Sequence, residues 1–506
     1  MLYNKYMISK PLKVLFVSAE VAPFSAVGGL AQVAYFLPKA LKKAGVDVRV
    51  FTPKYGSINS ALLQTQKIIE GLKIPTGEDE HSSHPQELIC NVKVLKSPKK
   101  DDPIIYFLEN KEYYEQRANV YNYSDDHVRF ALLSRAALEF VKHGDFMPDI
   151  IHVNDWHTGY LPNYLKTEYK DDEQLKSVST IFSVHNLYQG VFDFDHAPET
   201  DFDDGNGQLV SLFSDRFIKQ NALKRGVIHA DLVNTVSQKY SRELMTEDYG
   251  SKLHNLFKEL RGKFYGVLNG VDYKSFDPRT DKIIKRNYSS NNLGLRQENK
   301  VDLQKEFNLD VSQHTPLLGI VGRLDDQKGL DLVMQTIDFI LKECDIQLVV
   351  CGQGDDKYRD FFADLEKRYP GAVGTHLMFD ATLPRKIFAG ADMVLIPSKY
   401  EPGGIVALEC LRYGCIPIVR ATGGLADSVI DYDPTLNTGT GFSFKNYSSM
   451  SFLAAIVRGL ETYKAPNVWK KIIKRAMEQD FSWDKSAKKY LDLYRRAIGF
   501  GQGEEK

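Results

Sequence analysis

The sequence predicts an α/β protein made of two doubly wound domains, each built on a parallel sheet. Short apolar, β-branched runs alternate with helical stretches in both halves of the chain, which is the pattern of βαβ units. A chain of 506 residues is too long for one ordinary hydrophobic core and should divide into domains. Glycine-rich turns follow several of the predicted strands, at the positions where open α/β sheets bind ligands.

In the first half, a glycine pair at Gly28 and Gly29 precedes a long amphipathic helix predicted over 31–44. The stretch from Ser57 to Asn122 is poor in motifs and predicts long surface loops. Apolar runs predict strands at Val14–Val17, Val46–Phe51, Ile104–Phe107, Ile150–Val153, Thr180–Val184 and Leu232–Val236.

In the second half, the polar residues 281–299 are typical of a connection between domains, and a final helix is predicted over 485–498. The sequence therefore predicts an N-terminal domain over 1–280, a connection over 281–310, a C-terminal domain over 311–480 and a terminal helical segment over 481–506. Apolar runs predict strands at Leu317–Val321, Ile346–Val350, His376–Phe379, Met393–Ile396 and Ile416–Val419.

Composition excludes several classes of protein. A hydrophobic content of 43% and a charged content of 26% are those of a soluble globular chain. The net charge of −1 gives no global attraction for nucleic acid or anionic lipid. No apolar N-terminal run or bilayer-length segment is present, and the five cysteines form no C-x-x-C pair. We therefore expect a cytoplasmic protein with neither nucleic acid nor a membrane as partner, while its oligomeric state stays open.

The most informative motif places two carboxylates around a glycine turn. Glu401 precedes the turn formed by Gly403 and Gly404, and Glu409 lies in the helix that begins near Ile405. Glycines let backbone N–H groups approach a ligand, and the start of a helix favours anions. One carboxylate could then reach a hexose and the other ribose hydroxyls. Two surface glutamates on an ordinary strand, turn and helix remain the alternative.

Two basic residues follow an earlier strand of the same predicted domain. Arg323 and Lys328 lie in the loop after Leu317–Val321. Two cations at the carboxyl end of a parallel strand are placed to hold a diphosphate leaving group.

At this point the chain resembles the bacterial glycogen synthase and plant starch synthase family, which are retaining glycosyltransferases of the GT-B type. The resemblance extends over nearly the whole chain and implies two Rossmann-like domains facing across a cleft. It also implies transfer of glucose from ADP-glucose, or less favourably UDP-glucose, to the non-reducing end of an α-1,4-glucan, without a cofactor. Further motifs that carry the resemblance are Gly28–Leu30, Asn154–His157, Val184–Gly190 and Gly266–Asp272.

The resemblance also implies the roles of individual residues. His185 contacts the transferred glucose, Asp155 faces the acceptor, and Arg323, Lys328 and Glu401 complete the catalytic set. From the residues alone, four alternatives stay open. They are a structural role for His185, a helix-capping role for Asp155, a plain Asn-Gly turn at Asn269 and a core position for Phe379. The terminal helix is implied to return to the first domain. The implied substrate-binding positions are Gly28, Gly29, Asn269, Phe379, Gly403, Gly404, Ile405 and Glu409.

The chain departs from the family at its N-terminal motif. Ala26 and Val27 replace a Lys-Thr or Lys-Val pair, and Gln32 replaces an aspartate. The missing lysine removes a positive charge from the expected donor site.

Two Asp-x-Asp patterns, at 193–195 and 201–203, lie in an acidic loop without a strand end to fix them. We therefore predict no catalytic metal.

Two other functions stay open at this stage. One is a GT-B transferase that uses another nucleotide sugar and another acceptor. The other is a glucan-binding relative with a weakened donor site.

Overall fold

The structure is a computed structural model and describes residues 10–59, 63–77, 84–95, 100–187, 201 and 207–501. The chain divides into two compact units. The first consists of Met1–Val236, Ser241–Val267 and Trp483–Lys506, and the second of Ser237–Tyr240 and Leu268–Ser482.

The described residues form two sheets. Their strands are β1 (Lys13–Val17), β2 (Asp47–Pro53), β3 (Thr65–Pro75), β4 (Glu87–Leu95), β5 (Ile104–Glu109), β6 (Ile150–Asn154), β7 (Ser179–Val184), β8 (Leu232–Thr235), β9 (Phe264–Gly266), β10 (Leu317–Val321), β11 (Gln347–Cys351), β12 (Val373–His376), β13 (Met393–Ile396), β14 (Ile416–Arg420) and β15 (Phe442–Phe444).

Helices cover the sheets. They are α1 (Gly29–Lys43), α2 (Asp126–His143), α3 (Tyr160–Lys166), α4 (Ala222–His229), α5 (Gln238–Glu243), α6 (His254–Glu259), α7 (Arg296–Glu306), α8 (Leu330–Glu343), α9 (Asp356–Arg368), α10 (Leu383–Gly390), α11 (Ile405–Tyr413), α12 (Gly423–Ser428), α13 (Ser449–Tyr463), α14 (Pro466–Glu478) and α15 (Trp483–Gly501). Short 3-10 helices occupy Trp156–Thr158, Phe217–Lys219, Arg261–Lys263, Leu293–Leu295 and Asp326–Lys328, and a π-helix occupies Lys111–Glu115.

The first unit contains the larger sheet, in the order β3-β4-β5-β2-β1-β6-β7-β8-β9. The strands from β5 to β9 pair in parallel. Strands β6 and β7 are buried along their whole length, because helices cover both faces of a parallel sheet. The α/β class predicted from alternating apolar runs is confirmed for this unit.

An antiparallel hairpin at the edge of this sheet corrects the prediction of surface loops over 57–122. Strands β3 and β4 pair antiparallel, and β4 continues antiparallel onto β5. In β4 the buried residues Cys90, Val92 and Val94 alternate with more exposed ones. A strand with one solvated face has few consecutive apolar residues, so a search for apolar runs misses it.

The last helix packs within the first unit, where α15 contacts α1 and the strands β6, β7 and β8. Two tyrosine hydroxyls anchor it to buried polar groups. The hydroxyl of Tyr494 lies 2.9 Å from Nδ1 of His152, and Nδ2 of Asn234 donates to the hydroxyl of Tyr490 over 3.1 Å. All four side chains are fully buried.

The second unit contains a parallel sheet in the order β12-β11-β10-β13-β14-β15. The predicted strand at His376–Phe379 is wrong, because β12 ends at His376 and Phe379 is 74% exposed. Strand β15 was not predicted, since its three residues include a serine between two phenylalanines.

The segment predicted as a connection over 281–310 packs inside the second unit. Tyr288 is buried and donates to the backbone oxygen of Tyr413 over 2.6 Å. Arg296 is also buried, and Lys300 is 2.7 Å from Asp392. Polar residues of this segment therefore form buried hydrogen bonds and a buried ion pair within the second unit.

None of the helices in the described part of the chain combines the length and the apolar composition needed to span a bilayer.

The substitution Tyr494→Phe should lower the melting temperature of the protein. It leaves buried Nδ1 of His152 without its partner, at a cost of about 1–3 kcal/mol, equivalent to about 2–4 °C for each kcal/mol in a domain of this size. The matched control is Tyr265→Phe, whose hydroxyl donates to an exposed carbonyl. If calorimetry gives the same change in melting temperature for both variants, the buried hydrogen bond contributes nothing to stability.

Candidate active site

Three neighbouring strands of the first sheet bring polar residues to one edge. Strand β6 pairs in parallel with β1 on one side and β7 on the other. Glu20 follows β1, Asp155 follows β6 and His185 follows β7. Because parallel strands end at the same edge of a sheet, the three residues come together there. This edge is the candidate site of the first unit.

Asp155 has a strained backbone. Its φ of 54° and ψ of 178° lie in a region that is almost restricted to glycine. Such a conformation costs on the order of 1–3 kcal/mol and persists only where its surroundings impose it. Here the carboxylate accepts from the backbone N–H of His185 over 2.7 Å and from that of Asn186. These two hydrogen bonds therefore stabilise the strained conformation and connect the loop after β6 to the loop after β7.

Burial controls the charge of Asp155. The residue is 8% exposed, and loss of hydration raises the pKa of its carboxyl to about 7. The two backbone N–H donors lower that pKa, and the nearby Glu20 raises it. Asp155 is accordingly poised between its two protonation states near neutral pH.

His185 is a neutral imidazole whose tautomer is fixed. Burial lowers its pKa to about 3. Nδ2 of Asn154 donates to the backbone oxygen of Val17 over 2.9 Å, so Oδ1 of Asn154 faces Nε2 of His185 at 2.9 Å. Nε2 must therefore carry the proton, and Nδ1 is left as an acceptor. Asn154 is a positioning residue that the sequence pattern alone did not reveal.

Glu20 is a second residue that sequence reasoning missed. Its carboxylate is 3% exposed and accepts from the backbone N–H groups of Val27 over 2.6 Å and of Gly28 over 3.2 Å. The hydroxyl of Tyr121 also donates to it over 3.0 Å, and burial raises its pKa. The backbone N–H of Gly28, which is an implied substrate-binding position, is therefore already hydrogen-bonded to Glu20. The sequence feature that could have revealed Glu20 is the position of its carboxylate, three residues after the end of β1.

Aromatic rings close this edge of the sheet. Tyr121 stacks on His157 with ring centroids 4.7 Å apart, and His157 lies 4.2 Å from Trp156. Burial lowers the pKa of His157 to about 3, so it is also neutral. Around Asp155 the site is therefore enclosed by aromatic groups and by two neutral histidines.

In the second unit, the predicted cation and carboxylate meet. Lys328 follows β10 and Glu401 follows β13, which is the neighbour of β10 in the sheet. Nζ of Lys328 lies 2.7 Å from Oε2 of Glu401, and the hydroxyl of Ser398 donates to the same oxygen over 3.1 Å. The two charged side chains are 22% and 14% exposed, so the pair is only partly hydrated.

Arg323 lies on the same loop but is more exposed. Its guanidinium donates to Gln327 over 3.0 Å and pairs with Asp325 at 3.1 Å. Gln327 in turn donates to the backbone oxygen of Tyr400 over 3.2 Å. The arginine side chain is 64% exposed, which leaves it able to reorient toward an anionic ligand.

Close backbone packing fixes the glycine turn around Glu401. The N–H of Gly424 donates to the backbone oxygen of Glu401 over 2.9 Å. A Cβ on Gly423 would lie 2.1 Å from that same oxygen, and its φ of 46° also favours glycine. Gly403 and Gly404 pack directly against this second turn, and Ile405 begins α11. Larger residues at position 423 would displace Glu401.

The remaining predicted residues differ in their surroundings. Glu409 is half-buried one turn inside α11, and burial raises its pKa to about 8, so it is mostly a neutral acid at pH 7. A protonated carboxyl can donate a hydrogen bond as well as accept one, so Glu409 could offer both to ribose hydroxyls. Asn269 is 4% exposed, and its Oδ1 finds no donor in the described part of the chain. Phe379 is exposed beyond the end of β12. Gly29 is exposed at the start of α1.

The Asp-x-Asp patterns fall mainly outside the described residues. Positions 193–195 and 202–203 are not described, whereas Asp201 is and pairs with Arg225 at 2.8 Å. Within the described ranges, no group of three His, Cys, Asp or Glu residues could hold a metal ion.

Two known protein families match successive segments of the chain. Residues 13–259 match the starch synthase catalytic domain, and residues 303–476 match the glycosyl transferases of group 1.

Curated relatives match almost end to end. A glycogen synthase of Thermotoga petrophila is 42% identical over 494 residues, covering 96% of this chain and 99% of the relative. A glycogen synthase of Clostridium beijerinckii is 39% identical, covering 96% of this chain and 100% of the relative.

Two solved structures are similar. The catalytic domain of starch synthase IV from Arabidopsis thaliana, bound to ADP and acarbose, gives a TM-score of 0.83 at 29% identity and covers 97% of this chain and 100% of that chain. A sucrose-phosphate synthase from Thermosynechococcus elongatus gives a TM-score of 0.59 at 18% identity, covers 96% of this chain and 99% of that chain, and shares the fold alone.

The substitution Asp155→Asn should change how stability depends on pH. Because the folded pKa of Asp155 is raised from 3.8 to about 7, its favourable contribution is complete below pH 4 and is lost as the pH rises to 7. Asparagine does not titrate and has nearly the same shape as aspartate, so the backbone strain at this position is common to both proteins. The melting temperature of the variant minus that of wild type should therefore increase between pH 4 and pH 7.

The matched control is Asp171→Asn on an exposed turn, which makes the same change of side chain outside the candidate site. A difference between Asp155→Asn and wild type that stays constant across this pH range would contradict the raised pKa.

Proposed function

The chain belongs to the glycogen and starch synthase family of glycosyltransferases, and on this premise we propose that it transfers glucose from ADP-glucose to the non-reducing end of an α-1,4-glucan. The family resemblance predicted from the motifs is confirmed, and the chain is a hexosyltransferase of glucan synthesis. The observation that carries the choice of donor is the matched starch synthase structure, which binds ADP and acarbose.

For the second unit we propose that Lys328 and Arg323 bind the diphosphate of the donor. Negative charge grows on the bridging oxygen as the glycosidic bond breaks, and preorganised cations stabilise that charge. Glu401 lies 2.7 Å from the ammonium group of Lys328. The pair fixes the ammonium group, while the exposed Arg323 supplies a second, adjustable charge.

For the first unit we propose that His185 contacts the transferred glucose. Since burial keeps its imidazole neutral, the residue does not repel positive charge developing at the anomeric carbon. Nε2 is committed to Asn154, so Nδ1 is the ring atom free to accept from a sugar hydroxyl. Asp155 holds the backbone of His185 and is proposed to face the acceptor.

We further propose that the reaction retains the configuration of the sugar. The acceptor hydroxyl enters on the face from which the diphosphate leaves, and the departing phosphate takes its proton. The proposal assigns no covalent nucleophile. Glu401 is engaged by Lys328 and Ser398, which suits a binding role for its carboxylate.

The loop at Ala26 differs from the family pattern but is firmly held. No lysine stands at this position, and the buried carboxylate of Glu20 holds the N–H groups of Val27 and Gly28 instead. We propose that donor binding relies on the cations of the second unit to a greater extent than in relatives that have the lysine.

Lys328→Ala should reduce turnover strongly while the fold persists. Removal of one preorganised charge at a developing anion costs about 10²–10³-fold in kcat, and the side chain is not part of the apolar core. The measurement is the initial rate of glucose incorporation together with circular dichroism. The control is Lys367→Ala, an exposed lysine of the same unit. Near-normal turnover of Lys328→Ala would refute its role.

The donor is tested by supplying radiolabelled ADP-glucose, UDP-glucose and GDP-mannose in parallel, with glycogen or maltooligosaccharide as acceptor. We expect the highest incorporation from ADP-glucose, with label released by an α-1,4-specific glucosidase, as retention requires. Transfer from a different donor would favour the transferase with another substrate. Binding of glucan without transfer from any donor would favour the glucan-binding relative.

A further inference from the structure

The backbone after β10 places a cation and a carboxylate on the same side of the loop. Leu324 forms an isolated parallel bridge, in which its N–H donates to the backbone oxygen of Gln353 over 2.9 Å and its oxygen accepts from the N–H of Asp355 over 2.8 Å. Successive side chains of an extended backbone point to opposite sides. Because Leu324 is fully buried, Arg323 and Asp325 both point away from the core.

The neighbouring loop fixes this arrangement. A Cβ at Gly354 would lie 2.2 Å from the backbone oxygen of Leu324, so the loops after β10 and β11 approach each other as closely as their backbones allow. The backbone of Asp325 is extended, with a φ of −136° and a ψ of 170°. The two loops therefore determine where Asp325 lies, independently of its ion pair.

Asp325 is the carboxylate partner of Arg323. Nη1 of Arg323 lies 3.1 Å from Oδ2 of Asp325, and Nη2 donates to Oε1 of Gln327 over 3.0 Å. The side chain of Asp325 is 22% exposed, and among the described residues no group donates to its buried Oδ1. Asp325 therefore keeps one oxygen without a hydrogen-bond donor, at the edge of the sheet where the diphosphate is proposed to bind.

A capping role does not account for Asp325. The residue precedes the 3-10 helix at Asp326–Lys328, yet its side chain accepts no hydrogen bond from the N–H groups of that helix. Only its backbone oxygen takes part, by accepting from the N–H of Lys328 over 3.1 Å. The carboxylate is thus not required to begin the helix.

Carboxylates balance the cations of this site. Lys328 is matched by Glu401 at 2.7 Å, as Arg323 is by Asp325. Burial raises the pKa of the Tyr400 hydroxyl, Asp325 adds to the rise and Arg323 opposes it, so this ring lies within the field of both charges. An anionic ligand that reaches the two cations must therefore also approach Asp325.

We propose that Asp325 is a specificity-determining residue, which disfavours the nucleoside diphosphate product relative to the nucleotide-sugar donor. The inference rests on the proposed function. The diphosphate of a nucleotide sugar is esterified at both ends and carries about two negative charges, whereas the released product has a free terminal phosphate and carries about three at pH 7. Repulsion grows with the charge of the ligand, so Asp325 opposes the product more than the donor.

The consequence is that product leaves more readily. Arg323 exchanges one partner for another, from Asp325 to the diphosphate when the donor binds and back to Asp325 when the product departs. Because release of product limits turnover in many enzymes, a carboxylate that competes for the arginine favours turnover over affinity. It also reduces the fraction of enzyme that accumulated product occupies.

Asp325→Asn removes the charge and nearly preserves the shape of the side chain. The matched control is Asp326→Asn, which makes the same change at the next residue, where the carboxylate is 70% exposed and lies 4.0 Å from Lys357. A general effect of net charge would appear equally in both variants. Gln327→Glu adds a carboxylate at the other partner of Arg323 and should act in the opposite direction.

The test is calorimetric titration of the full chain with ADP and, separately, with ADP-glucose in the absence of glucan. We expect Asp325→Asn to tighten binding about tenfold for ADP-glucose and about thirtyfold for ADP, in line with the charges of the two ligands. Asp326→Asn should change both affinities less than about twofold. Gln327→Glu should weaken ADP more than ADP-glucose.

A structural role for Asp325 would alter both affinities by the same factor or lower them, and either result would overturn the proposal. Equal tightening by Asp326→Asn would overturn it as well, because the effect would then be one of net charge. Titration needs no turnover, so the two proposals fail separately. If neither ligand binds to wild type, the proposed donor is wrong and the inference falls with it; if both bind and Asp325→Asn changes neither affinity, only the inference is wrong.

Discussion

Parallel strand pairing is the constraint on which both candidate sites depend. In a parallel sheet every strand delivers its following loop to the same edge. In the first unit this brings together Glu20, Asp155 and His185 from three adjacent strands. In the second it brings Lys328 and Glu401, 73 residues apart in sequence, to within 2.7 Å. The chemistry of each unit thus follows from strand order and not from nearness along the chain.

Differences in burial give the two candidate sites different electrostatic environments. In the first unit burial raises the pKa of Asp155 and lowers that of His185, so the site favours neutral forms. In the second unit Lys328 and Glu401 form a partly exposed salt bridge of 2.7 Å. An uncharged glucosyl ring suits the former environment, and a diphosphate suits the latter. This division agrees with the roles proposed for the two units.

The sequence could predict the elements that depend on apolar runs, but not those that depend on tertiary contacts. The buried strands β6, β7, β10 and β13 are recognisable from their composition, whereas the alternating hairpin β3–β4 is not. Glu20 precedes Val27 and Gly28, whose backbone N–H groups it accepts from, by seven and eight residues, so its role becomes visible only when the loop folds back. The strain at Asp155 likewise arises from packing that no local pattern encodes.

The position of α15 has a consequence for synthesis on the ribosome. Tyr490, Tyr494 and Ala497 of this last helix are buried in the core of the first unit, yet the whole stretch 268–482 is translated before them. At about 5–20 residues per second, those intervening residues take roughly 10–40 s to emerge. During that interval the nascent first unit exposes the apolar groove that α15 will fill, and the sequence of the second unit is completed only at its end. The first unit can thus complete its core only after the second unit has been translated, although most of its own sequence comes first.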